Sequence, residues 1–150
     1  MKDKASKRIL VVDNESLLRD LLHEVLVKSG YQVDVASDGF EALNSASTRD
    51  YDLIITDIKM PKLDGNELYL SVVQKQPWMR DKFLFTSENF NDLIFKKAAK
   101  GNMRHLAKPF RGTELLAYVQ LIMQEFGEAE RDAIDNRPHL SSVAENMKAV

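Results

Sequence analysis

Short apolar runs alternate along this chain with stretches whose apolar residues recur at helical spacing. Residues 9–12, Ile-Leu-Val-Val, form a compact run that stops at Asp13. Leu17, Leu18, Leu21, Leu22, Val25 and Leu26 then recur every three or four positions, which predicts a helix closed by Gly30. Residues 31–36 alternate, Val33 and Val35 against Gln32 and Asp34, as in a strand with one wet face. Residues 38–48 predict a second helix. Leu53-Ile54-Ile55-Thr56 is a third strand ending at Asp57, followed by a loop and turn at Met60-Pro61 and Asp64-Gly65. A third helix is predicted over 67–76, stopped by Pro77, and a fourth strand over 83–86. A fourth helix over 89–100 precedes Gly101, a short fifth strand covers 103–107, and a fifth helix covers 113–126. Leu115, Leu116, Val119, Ile122, Met123 and Phe126 line the apolar face of that last helix.

Five strands alternating with five helices imply βαβ units and a parallel sheet covered on both faces. Strands buried on both faces read as unbroken apolar runs. The first, third and fourth do, whereas the second and fifth are more polar and belong at the edges. That matches the flavodoxin-like doubly wound order 2-1-3-4-5, in which ligands bind at the carboxyl ends of the strands near the switch point between strands one and three.

Composition narrows the classes. At 150 residues, 44% hydrophobic and 29% charged, with formal net charge −2, the chain suits one soluble domain with its own core. Near-neutrality provides no general attraction to nucleic acid. The absence of cysteine excludes disulfides, thiolate catalysis and cysteine-held metals. No apolar run approaches the roughly 18 residues of a membrane span, and the polar, basic start does not resemble a signal peptide. A cytoplasmic protein is the default expectation.

The doubly wound topology makes a test of the acidic residues. Asp13 ends strand one and Asp57 ends strand three, so adjacent strands bring them side by side. Thr86 ends strand four and Lys108 follows strand five. Any one of them alone is an ordinary loop residue; two acids, a hydroxyl and an ammonium on one rim form a site. The runs Val11-Val12-Asp13, residues 52–61 with Asp57 and Met60-Pro61, Asp64-Gly65, Thr86-Ser87 and Lys108-Pro109-Phe110 resemble the receiver domains of two-component response regulators, of the chemotaxis-regulator type. The resemblance spans about residues 7–126. It implies that Asp57 is a phosphoacceptor, that Asp13, Asp57 and the Lys59 carbonyl hold Mg²⁺, that Thr86 and Lys108 bind the phosphoryl group, and that Lys108-Pro109 is cis. It also implies a sensor histidine kinase or histidine phosphotransfer protein as phosphodonor, docking near the first helix, and a signalling receiver that catalyses only its own phosphorylation and dephosphorylation. A carboxylate suits this chemistry, because phosphoryl transfer requires positioning and charge neutralisation more than a strong nucleophile. Mg²⁺ takes oxygen ligands and keeps several waters, so one or two carboxylates plus a carbonyl suffice.

Two positions depart from the pattern. Asn14 stands where the family has a second acid; it offers an oxygen but no charge, which implies weaker Mg²⁺ binding. Glu15 follows and either compensates or serves as a helix-start acid favoured by the dipole. His105 stands where the family has an aromatic switch residue. Histidine as a residue type changes charge near physiological pH, so the switch either depends on pH or His105 is simply a partly exposed strand-edge residue. Lys59 and Glu88, two residues beyond Asp57 and Thr86, flank the site and are placed to shield it from water, or are merely a solvated pair.

Other readings have less support. His23 lies on the first helix and His139 in the tail, with no metal-type spacing, and there is no phosphate-cradling Gly-x-x-x-x-Gly-Lys loop. A flavodoxin-like cofactor binder would need a Ser/Thr/Gly-rich loop where Asp13-Asn14-Glu15 stands. An aspartyl phosphatase would carry its nucleophile on the first strand. A degenerate receiver, binding partners without phosphorylation, is the remaining alternative. The predicted fourth helix, fifth strand and fifth helix would carry the output face, with Lys96, Lys97, Lys100, Arg104 and Arg111; they suit an acidic partner or a homodimer. Residues 1–126 are the predicted receiver. Residues 127–150 read as a charged linker with a possible short helix through Leu140, Val143, Ala144 and Met147. The tail is too short for a DNA-binding output, which leaves a stand-alone receiver or part of a longer protein.

Overall fold

A computed structural model describes residues 6–89 and 103–135. The five strands are β1 (Arg8–Val12), β2 (Gln32–Ala36), β3 (Leu53–Asp57), β4 (Phe83–Ser87) and β5 (Arg104–Ala107). They form one parallel sheet in the order β2-β1-β3-β4-β5. β3 and β4 are buried throughout and β1 in all but its first residue, while β2 and β5 carry exposed positions at the edges, as their sequences predict.

The described helices are α1 (Ser16–Lys28), α2 (Gly39–Thr48), α3 (Gly65–Lys75) and α4 (Gly112–Asp135), with a short 3₁₀ turn at Pro77–Met79. The helix predicted over 89–100 falls almost wholly outside the described residues, as do Lys96, Lys97, Lys100 and the possible helix through Leu140. Two helix ends differ from expectation by more than one residue. α3 begins at Gly65 rather than Glu67, because Asp64 is its N-cap: the Asp64 carboxylate accepts from the Glu67 N–H and the Glu67 side chain accepts from the Asp64 N–H. The last helix continues past Phe126 to Asp135, since the charged residues after Gly127 are exposed and most favour helix.

The described residues divide into two compact units, one up to Leu116 and one from Ala117 to Asp135. The first holds the core: Leu10, Val12, Ile54, Ile58, Leu68, Val72, Phe83 and Phe85 pack as one cluster. Tyr69 of α3 meets Phe83 edge-on, with centroids 5.1 Å apart, and Phe83 stacks on Phe85. These contacts hold α3 against β4, and the Gly65 N–H, which donates to the Ile58 carbonyl, ties the start of α3 to the end of β3. In the second unit Val119 and Ile122 are buried and residues 128–135 exposed.

Candidate functional site

The register of the sheet builds the site. Val12 pairs with Thr56 and Asp57 with Thr86, so Asp13, Asp57 and Thr86 leave neighbouring strands at one level. Each is nearly enclosed, Asp13 and Thr86 at 2% exposure and Asp57 at 7%. Backbone bonds hold the level: the Asp13 N–H donates to the Ala36 carbonyl and the Ile58 N–H to the Thr86 carbonyl, each at 3.1 Å.

Lys108 reaches in from the loop after β5. Its Nζ lies 2.9 Å from Asp13 Oδ2, 3.3 Å from Asp57 Oδ2 and 3.6 Å from Glu15 Oε1. One ammonium thus joins carboxylates that are 44 positions apart in sequence and lies nearly buried between them. Its own backbone is held by the Ser87 carbonyl, which accepts the Lys108 N–H at 2.9 Å, and the Lys108-Pro109 peptide is cis as expected.

Charge and burial shape the titration of these groups. Burial pushes the Asp57 carboxyl up to about 6; the Lys108 ammonium opposes this and the like charge of Asp13 adds to it. For Lys108, burial disfavours the ammonium, but the bond it donates to Asp13 and the charges of Asp13 and Asp57 outweigh this and hold the lysine above its ordinary value. Carboxylate and ammonium therefore coexist at neutral pH.

A cleft of about 280 Å³ opens over Asp57, lined by Asn14, Glu15, Lys59, Ser87, Glu88, Asn89 and Lys108. Lys59 and Glu88 are thus brought to the site. Thr86 lies beneath this surface, while its neighbour Ser87 forms the wall. Ser87 Oγ donates to the Asn89 carbonyl at 2.8 Å and accepts from the Asn89 N–H at 3.0 Å. His105 is exposed on edge strand β5, with Nδ1 3.1 Å from the Met103 carbonyl. His23 is exposed on α1.

Three contributors escaped the sequence reading. Arg19 donates from Nη1 to the Asp13 carbonyl at 2.7 Å. Ser87 holds Lys108 through its carbonyl. Gly65 passes so close to the β3 end that a Cβ there would lie 2.5 Å from the Asp57 carbonyl oxygen. The first two are side chain-to-backbone or backbone contacts with no spacing signature. The third was visible as Asp64-Gly65, although it read as a turn.

The donor set suits a small hard cation. Asp57 lines the cleft together with Asn14 and Lys59, the buried Asp13 carboxylate shares the Lys108 ammonium with it, and the charge of Asp13 helps raise Asp57. Asn14 contributes no charge, and no group of three acidic, histidine or cysteine side chains is arranged for a metal among the described residues.

Residues 9–120 match the response regulator receiver domain family. The chain belongs to that family. It is 32% identical over 123 residues to the transcriptional regulatory protein PdtaR of Mycobacterium tuberculosis, covering 81% of this chain and 59% of PdtaR. It is 33% identical to sporulation initiation phosphotransferase F of Bacillus subtilis, covering 70% of this chain and 84% of that protein. The chemotaxis response regulator CheY4 of Vibrio cholerae superposes with TM-score 0.70 at 30% identity, covering 77% of this chain and 98% of CheY4. The response regulator TrrA of Thermotoga maritima, solved in complex with Mg²⁺-BeF, superposes at 0.65 with 34% identity, covering 77% of this chain and 98% of TrrA. The chain spans less than two thirds of PdtaR's length.

Proposed function

We propose that this receiver takes a phosphoryl group onto Asp57 from a sensor histidine kinase or a histidine phosphotransfer protein, and changes its protein contacts as a result. The observation that carries the reading is the Lys108 ammonium, held within 3.3 Å of both Asp13 and Asp57 at the floor of an open cleft. The phosphotransferase name of one relative and the Mg²⁺-BeF complex of another receiver support it.

In this reading an Asp57 oxygen attacks phosphorus as the P–N bond of the donor's phosphohistidine breaks, leaving an acyl phosphate here and a histidine there. With its carboxyl titrating at about 6, Asp57 is mostly ionised at neutral pH and ready to attack. Asp13, Asp57 and the Lys59 carbonyl would hold Mg²⁺, with Asn14 as at most a neutral contributor; when bound, the ion supplies positive charge to the phosphoryl oxygens. Lys108 pairs with one of the new oxygens and draws away from Asp13. Thr86, in register with Asp57, donates its hydroxyl to another. Lys59 and Glu88 line the approach and limit the entry of water. His105 and the β5 edge belong to the face where the change is read, by a partner protein or by a second copy of the chain. Within this reading residues 1–126 are the receiver, the remainder is an appended segment whose start prolongs α4, and the setting is cytoplasmic.

Intact mass after incubation with acetyl phosphate and Mg²⁺ tests the reading. The expected result is a gain of one phosphoryl unit in the wild type, none in Asp57→Ala, and none without Mg²⁺. No gain in the wild type, with no structural response to beryllofluoride, would make the chain a degenerate receiver that binds partners without phosphorylation.

A further inference from the structure

Glu15 is the candidate acid that neither the family pattern nor the proposed mechanism assigns. It is the N-cap of α1, yet its side chain makes no capping hydrogen bond. Its backbone N–H instead donates to Asp13 Oδ1 at 2.8 Å, which fixes Asp13 from the side opposite Lys108. Its carboxylate lies 3.6 Å from Lys108 Nζ, and Glu15 lines the cleft together with Asn14 and Lys59. The Glu15 side chain is 60% exposed, so it has room to move with the charge in front of it.

Charge balance gives this placement a purpose. Asp13 and Asp57 bring two negative charges to the rim and Lys108 one positive. A divalent cation on the same two carboxylates would compete with Lys108 for them and leave the cluster net positive. A second acid at position 14 would restore neutrality; Asn14 does not. We propose that Glu15 is a positioning residue which supplies that missing charge, acting through Lys108: its carboxylate takes a share of the ammonium and so frees Asp13 and Asp57 for the metal. The proposal rests on the Mg²⁺-dependent reading above.

The test is a Mg²⁺ titration of the whole chain, followed by isothermal calorimetry, on the wild type, Glu15→Gln, Asn14→Asp and the double variant, with Asp13→Asn as reference. At low ionic strength Glu15→Gln is expected to weaken Mg²⁺ binding about tenfold, an electrostatic effect that shrinks as salt is added. Asn14→Asp should strengthen binding by a larger factor in the Glu15→Gln background than in the wild type, because one charge substitutes for the other. A residue that only complements the helix dipole would change thermal stability and leave the affinity alone. Equal affinities for wild type and Glu15→Gln, with Asp13→Asn much weaker, would overturn the role of Glu15 and leave the metal site standing. If Asp13→Asn also binds Mg²⁺ like the wild type, the metal reading fails and this proposal falls with it.

Discussion

At the scale of single residues, the site is a balance among a few buried charges. The Lys108 ammonium lies within reach of both Asp13 and Asp57. Lys108→Ala leaves two carboxylates facing each other without it, which at pH 7 should cost about 2 kcal/mol or more. At pH 4.5 the cost should shrink, because Asp57 is then largely protonated. Urea unfolding at the two pH values measures this; an equal loss at both would mean that Lys108 stabilises by packing alone. Lys62 presents a different kind of cost. It holds φ at 72° in the loop between β3 and α3, a left-handed conformation unfavourable for an L side chain. Lys62→Val should destabilise by about 1–2 kcal/mol, since a β-branched residue tolerates that conformation worst, while Lys62→Asn should be neutral or stabilising. Matching losses for the two variants in thermal melts would refute the backbone argument. The four principal site residues were legible because each ends or follows a strand whose apolar run marks it. Glu15, Arg19 and Ser87 were not fully legible, because their roles depend on where a side chain or carbonyl points after the loop has folded.

At the scale of elements, legibility follows burial. β1, β3 and β4 are covered on both faces and had to be apolar throughout, so their limits were plain; β2 and β5 announced themselves as edges through their polar positions. The end of α4 was hidden because charged residues that favour helix carry no stop signal, and a polar stretch reads equally as linker or as solvated helix. The start of α3 was present in the sequence as Asp64-x-x-Glu67, the spacing of a capping box, but Asp64-Gly65 also has the look of a turn. That capping box matters beyond helix stability, since α3 begins directly above Asp57. The Gly65 N–H donates to the Ile58 carbonyl at 2.8 Å, and the lack of a side chain there lets the helix start touch the β3 end. Gly65→Ala should therefore cost about 2 kcal/mol and push the Asp57 backbone out of place. Asp64→Ala should cost only about 1 kcal/mol through the lost cap. The discriminating measurement is phosphorylation by acetyl phosphate in folded protein. Gly65→Ala is expected to slow it strongly and Asp64→Ala only mildly; equal rates would show that the close approach does not position Asp57.

At the scale of the whole molecule, the burial of Asp57 ties stability to pH, and the proposed cation would tie it to metal as well. Asp57 titrates at about 6 in the folded chain, against an ordinary carboxylate value of 3.8. The folded state therefore binds more protons than the unfolded chain between those values, and stability must fall as pH rises through this window. The contribution is fully present below the ordinary value and lost above about 6. Asp57→Asn removes the titration, so its stability should be flatter over the same range and exceed that of the wild type at pH 7. The gain should be about 1 kcal/mol, well below a full conversion of the shift, because the cleft is open to solvent and screens the charges. Mg²⁺ should act in the opposite sense on the wild type, stabilising it at pH 7 by binding the ionised carboxylates and flattening the curve, while leaving Asp57→Asn much less affected. Thermal melts from pH 4 to 8, with and without Mg²⁺, examine both halves together. A wild type whose stability rises with pH in the absence of metal would mean that Lys108 outweighs burial at Asp57. The receiver would then hold Asp57 in a relaxed, fully paired state, and binding of a cation would have to disrupt a stable arrangement instead of relieving a repulsive one.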